Sequence, residues 1–126
     1  MDFESPLAKV RGLGSAQSGT FHWWMQRVTA VALLPLSLVF IQLLKMSLNA
    51  PYADTVSWLS TPFNTACIIA WTLTVFYHAA LGLQVVIEDY VAHEAAKIIA
   101  IWSVNLVFGF LALLALLAVL RTILVG

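Results

Sequence analysis

Apolar residues gather into three long runs, Val28–Leu48, Phe63–Ile87 and Ile98–Val125, and charged residues lie between these runs or near their ends. A helix needs about 20 residues to cross a hydrocarbon core, so each run is long enough to span one. The pattern predicts an all-α integral membrane protein with three transmembrane helices over about 25–48, 63–90 and 96–124. These form one membrane domain, 1–126, preceded by a short cytoplasmic segment, 1–24.

The segments between the runs refine the boundaries. Gly12, Gly14 and Gly19 with Ser15 and Ser18 suit an extended, adaptable stretch outside the lipid. His22-Trp23-Trp24 marks a membrane edge, where an indole keeps one side wet. Pro35 lies inside the first span and removes one backbone hydrogen bond, which predicts a bend. The stretch Asn49–Pro62, with Tyr52 and Trp58 as interfacial anchors, reads as an ordinary connector. A much tighter turn around Val91–Ala96 joins the second and third spans and gathers Glu88, Asp89, His93, Glu94 and Lys97 on the wetter side.

Composition supports the membrane assignment and excludes other classes. Of the 126 residues, 62% are hydrophobic and 10% charged, more apolar surface than a soluble domain of this size can hide. A net charge of zero leaves no basic patch for nucleic acid. The one cysteine, Cys67, rules out an internal disulfide or a cysteine-rich metal site. No cleavable signal peptide is expected, because Lys9 and Arg11 sit among small polar residues without an apolar core. Lys9, Arg11, Arg27 and Lys97 on one side outnumber Lys45 and Arg121 on the other, which predicts a cytoplasmic N-terminus and a periplasmic C-terminus. Three helices enclose little interior, so a partner subunit is expected.

Candidate chemistry centres on His78, since an ionisable group at bilayer depth is costly and marks function by default. Asp89 follows it by eleven residues, about 16 Å of helix, half of a hydrocarbon core of about 30 Å. If Asp89 is interfacial, His78 is near the midplane. Eleven residues are also close to three turns, so the two share a face with Gly82 and Val85, and Gly82 leaves a flat gap there for a planar cofactor. A neutral imidazole can ligate haem iron; it can equally be satisfied by a Ser, Thr or backbone carbonyl of a neighbouring helix. His22 and His93 belong at the membrane edge, so a second axial ligand would come from another polypeptide. Arg27 opens the first span, where its guanidinium could pair with a haem propionate or merely snorkel. Asp89 and Tyr90 offer a carboxylate beside a phenol, which suits a quinone that takes up protons, although an interfacial tyrosine is common. Asn105, Gly109, Ala112, Ala115 and Ala118 read as a packing strip with an interhelical hydrogen bond from Asn105.

Phe21-His-Trp-Trp-Met-Gln-Arg-Val-Thr-Ala-Val-Ala-Leu-Leu-Pro35 and Tyr77-His-Ala-Ala-Leu-Gly-Leu-Gln-Val-Val-Ile-Glu-Asp-Tyr-Val91 resemble the hydrophobic membrane anchor subunits of succinate dehydrogenase, the smaller anchor of respiratory complex II, in their alphaproteobacterial form. The resemblance covers nearly the whole chain in helix number and order. It implies that His78 is an axial ligand of haem b, shared with a histidine of a sister cytochrome b556 subunit in a heteromeric haem-binding helix bundle. It further implies that Tyr90, with Asp89 beside it, hydrogen-bonds ubiquinone, and that Arg27 contacts a haem propionate. Relatives often continue the Asp-Tyr motif with Val-His, whereas this chain has Val91-Ala92-His93, so a role tied to a histidine directly after that valine does not carry over.

The expected assembly also holds a flavoprotein and an iron-sulfur subunit in a bacterial inner membrane, and a trimer of such heterotetramers is compatible with it. This chain is not catalytic alone: it has one cysteine and no Gly-x-Gly-x-x-Gly loop for a dinucleotide. Two alternatives stay open at this point. One is the anchor of a fumarate reductase, and the other is a haem-free transport component with His78 in a proton relay.

Overall fold

The computed structural model describes residues 16–126, with side chains from Gly19 onward. Four helices occupy them: α1 (Ala16–Asn49), α2 (Tyr52–Ser60), α3 (Pro62–Tyr90) and α4 (Glu94–Val125). α1, α3 and α4 are each long and apolar enough to cross a membrane. The chain is thus an all-α, multi-pass membrane protein. At 1.5 Å per residue the 34 residues of α1 measure about 50 Å, so it extends well beyond a hydrocarbon core of about 30 Å.

Two boundaries differ from the sequence expectation. α1 begins at Ala16 and not near residue 25, so the Trp23-Trp24 edge lies inside a continuous helix that also passes through Pro35. The small residues Gly19 and Thr20 do not break it, since the strong helical run that follows propagates backward over them. The earlier part of the expected extended stretch, with Lys9 and Arg11, lies outside the described residues. The connector after α1 contains a nine-residue helix, α2, which turns Thr55 and Leu59 inward. Spacing four apart puts both on one helical face, so even a polar connector gains from coiling.

The joints follow ordinary end chemistry. Pro62 stands at the start of α3, where its missing N–H costs nothing, and the Asn64 amide donates to the Trp58 carbonyl at 2.9 Å. Three residues, 91–93, separate α3 from α4. His93 caps α4 by accepting from the Ala96 N–H at 3.2 Å, and Glu94 in the first turn favours the positive end of the helix.

α3 is the middle helix. It packs against α1 on one side and α4 on the other, while α1 and α4 do not touch. The three long helices thus form an open layer. α1 and α3 run antiparallel, fixed by Thr29 against His78 and Ser37 against Trp71. Trp71 donates its indole N–H to Ser37 Oγ at 3.0 Å and stacks on Phe40 with ring centres 3.7 Å apart. Phe76 meets Phe108 of α4 edge to face at 6.1 Å. Only Leu59, Ile68 and Leu81 are apolar and buried among the described residues, and two of them belong to α3. Trp71→Ala removes both a stack and a hydrogen bond, and should destabilise the α1/α3 pair by about 1–3 kcal/mol. The check is a lower thermal transition of the detergent-purified membrane complex.

Candidate functional site

His78 sits on the α3 face that meets α1 and is half-buried. Its Nδ1 lies 2.8 Å from Oγ1 of Thr29, a buried residue of α1. The same oxygen lies 2.6 Å from the Met25 carbonyl and 3.2 Å from that of Gln26. Both carbonyls can only accept, and when the hydroxyl gives its proton to Met25, at the shorter distance, its oxygen is free to accept from the imidazole. In that arrangement Nδ1 carries the imidazole proton, whereas in the opposite tautomer Nδ1 accepts from the hydroxyl. A neutral ring with its proton on Nδ1 has its lone pair on Nε2. Nε2 makes no hydrogen bond among the described residues, and this is the donor atom that a metal requires.

One turn along, Gly82 does not leave the flat gap expected from the sequence. A Cβ built there would lie 3.6 Å from the Gln26 amide nitrogen, so the missing side chain makes room for Gln26 of α1. Gln26 Oε1 is buried and has no hydrogen-bond partner among the described residues. Toward the α3 C-terminus the two helices border a groove of about 760 Å³, lined among others by His22, Gln26, Arg27, Gln84 and Glu88. The Arg27 guanidinium lies over the Trp23 ring, 4.8 Å from its centre, and makes no ion pair among the described residues.

Asp89 and Tyr90 are exposed at the end of α3, Tyr90 to 84%, and they do not line this groove. The chain therefore brings Arg27 near the His78 helix face but leaves the acid and phenol pair open on its own surface. His93 has its Nδ1 engaged in capping α4. His22 lines both grooves, one of them together with Tyr77, Ala80 and Leu81 from the part of α3 around His78.

Asn105 departs from expectation. It makes no interhelical hydrogen bond among the described residues, and a Cβ at Gly109 would meet nothing within 4 Å. Both border a second groove, about 440 Å³, between α3 and α4, together with Tyr77 and Gln84. The small-residue strip thus does not pack on this chain's own helices at Gly109. Among the described residues no cluster of three or more His, Cys, Asp or Glu could hold a metal ion. Any metal at His78 must come with a partner's ligand or within a macrocycle.

Thr29, Gln26 and Gln84 were not singled out from the sequence. A satisfied histidine calls for some hydroxyl or carbonyl partner, yet only the α1/α3 register selects Thr29. Gln26 and Gln84 carry a weaker signal, as uncharged polar residues near span ends.

The fold and the site define an all-α, multi-pass membrane protein with a half-buried imidazole between two of its spans. The comparisons with known proteins agree. Over residues 1–122 the chain matches the family described as the succinate dehydrogenase/fumarate reductase transmembrane subunit, and it belongs to that family. It is 35% identical over 114 residues to the succinate dehydrogenase hydrophobic membrane anchor subunit of Rickettsia bellii, covering 90% of each chain. The protein of the same description from Paracoccus denitrificans is 28% identical over 115 residues, 91% of this chain and 88% of the relative. The succinate dehydrogenase membrane anchor subunit of Reclinomonas americana is 31% identical over 94 residues, 72% of this chain and 78% of the relative. No solved structure matches the chain.

The contact at Gly82 carries a steric prediction. Gly82→Ala meets only ordinary contact with the Gln26 side chain and should leave the yield of assembled complex unchanged. Gly82→Leu should push α1 from α3 and lower that yield severalfold, measured by fluorescence-detected gel filtration.

Proposed function

We propose that this chain is the smaller membrane anchor of a succinate:ubiquinone oxidoreductase, with His78 as one axial ligand of haem b. The observation that carries the reading is the free Nε2 of an imidazole held at mid-span, in a chain of this family. The residues fit the group: His78 offers an imidazole nitrogen, and Arg27, without an ion pair among the described residues, borders a groove on the side where propionates would point. Bound haem supplies a one-electron site inside the membrane. This chain offers no second imidazole at that depth, so the other ligand comes from a sister cytochrome b556 subunit.

Tyr90 donates its phenolic proton to a ubiquinone carbonyl, and Asp89 orients it or passes protons from the aqueous side. Both are exposed in the single chain, so the quinone pocket is completed by neighbouring subunits. The soluble side of that assembly is the iron-sulfur subunit and, behind it, the flavoprotein. With the N-terminus of α1, the 91–93 turn and Tyr90 at one end of the layer, the positive-inside rule places this end in the cytoplasm of a bacterial inner membrane and the C-terminus in the periplasm. The polar end then lies next to the soluble electron donor. The domain is one membrane unit, 1–126, whose role is to position, not to catalyse alone.

A fumarate reductase anchor shares the family description, and the direction depends on quinone potential, which these side chains do not set.

His78→Ala should remove or alter the b-type band in a dithionite-reduced difference spectrum of the purified complex; an unchanged band would place the ligand elsewhere. Tyr90→Phe deletes one hydrogen bond and should slow succinate-dependent quinone reduction roughly five- to tenfold while sparing an artificial acceptor that bypasses the membrane. Equal loss in both assays would point to failed assembly.

A further inference from the structure

We propose that Thr29 is the positioning residue of the haem ligand: its hydroxyl selects which imidazole nitrogen of His78 faces the iron and sets the rotation of the ring. This rests on the reading of His78 as an axial ligand.

Thr29 is 6% exposed, so water does not compete for its oxygen. In the proposed arrangement its proton goes to the backbone of its own helix, to Met25 at 2.6 Å. What it then presents to α3 is a lone pair, 2.8 Å from Nδ1. A threonine bound back to the carbonyl four residues earlier has a restricted rotamer, since β-branching and the backbone bond act together. The imidazole is held by an atom that itself has little freedom.

The choice of a hydroxyl has an electronic consequence. Donating Nδ1–H to an acceptor raises the basicity of the opposite nitrogen, and a carboxylate in that place would do so far more strongly than a neutral oxygen. Thr29 thus gives a moderate push, weaker than an Asp and stronger than no acceptor. Hydrogen bonding behind an axial ligand is one of the protein's levers on haem potential. The bond also couples the ligand to helix packing, because Thr29 belongs to α1 and His78 to α3. The Ser37 and Phe40 contacts with Trp71, two turns away, hold the same register.

The test uses the complete membrane complex with Thr29→Val, Thr29→Ala, Thr29→Ser and His78→Ala. Haem retention, the midpoint potential from a redox titration, and the largest g value of the ferric haem in electron paramagnetic resonance are the readouts. Thr29→Val and Thr29→Ala should retain haem about tenfold less tightly, as outer-shell changes at metal ligands do. Their potential should shift upward, because the imidazole loses basicity, and the g value should move as the ring turns. Thr29→Ser should restore all three. Wild-type potential and g value in Thr29→Val would overturn the proposal, provided His78→Ala loses the haem band. If His78→Ala keeps that band, the ligation itself fails, and Thr29 falls with it. Failure of both apolar variants to assemble while Thr29→Ser assembles would assign the hydroxyl to helix packing, and would also overturn it.

Discussion

The contact between Thr29 and His78 fixes the relation of the first two spans, and the rest of the site depends on it. A polar side chain in hydrocarbon must find a partner within protein, since no water is present to satisfy it. Here the histidine finds one of the few hydroxyls on α1, at 2.8 Å, and the helices align antiparallel around that pair. Gln26 then falls opposite Gly82, Ser37 opposite Trp71, and Arg27 at the rim of the groove beyond. One satisfied imidazole nitrogen sets the register, and the other makes no hydrogen bond among the described residues.

The open layer gives this arrangement its second property. With α3 between α1 and α4 and no contact between the outer two, the chain buries only three apolar side chains among its described residues. Lipid tails solvate apolar residues well, so such a layer can persist in a bilayer where it would fail in water. Its polar groups are a different matter. Among the described residues the buried Gln26 oxygen and Asn105 lack a partner, and Tyr90 stands almost fully exposed beside Asp89. These groups are the features of a surface that other subunits complete, in keeping with a family of transmembrane subunits and with curated relatives described as membrane anchors.

Much of the site was legible in the sequence because depth along a helix is a matter of counting. The distance from Asp89 to His78 placed the imidazole near mid-span, and the exclusion of His22 and His93 followed from their positions at span ends. The end of α1 was less legible. Small residues before Phe21 suggested an extended segment, yet the helix starts at Ala16, because helix propagation outweighs the modest cost of Gly19. The nine-residue α2 was missed for a related reason, since its apolar face rests on only Thr55 and Leu59. The packing strip on α4 was legible as small residues, but Gly109 faces open space within this chain.

The sequence alone determined the number of candidate spans, their order and which polar residues fall inside them, since these depend on length and hydropathy along one dimension. Tertiary structure decided which helix lies in the middle, that Thr29 and not another hydroxyl meets His78, and that Gly82 admits Gln26. Those outcomes depend on the rotation of each helix about its axis. In lipid that rotation is set by a few polar contacts and close packings between helices, which a pattern of apolar residues along one chain does not encode.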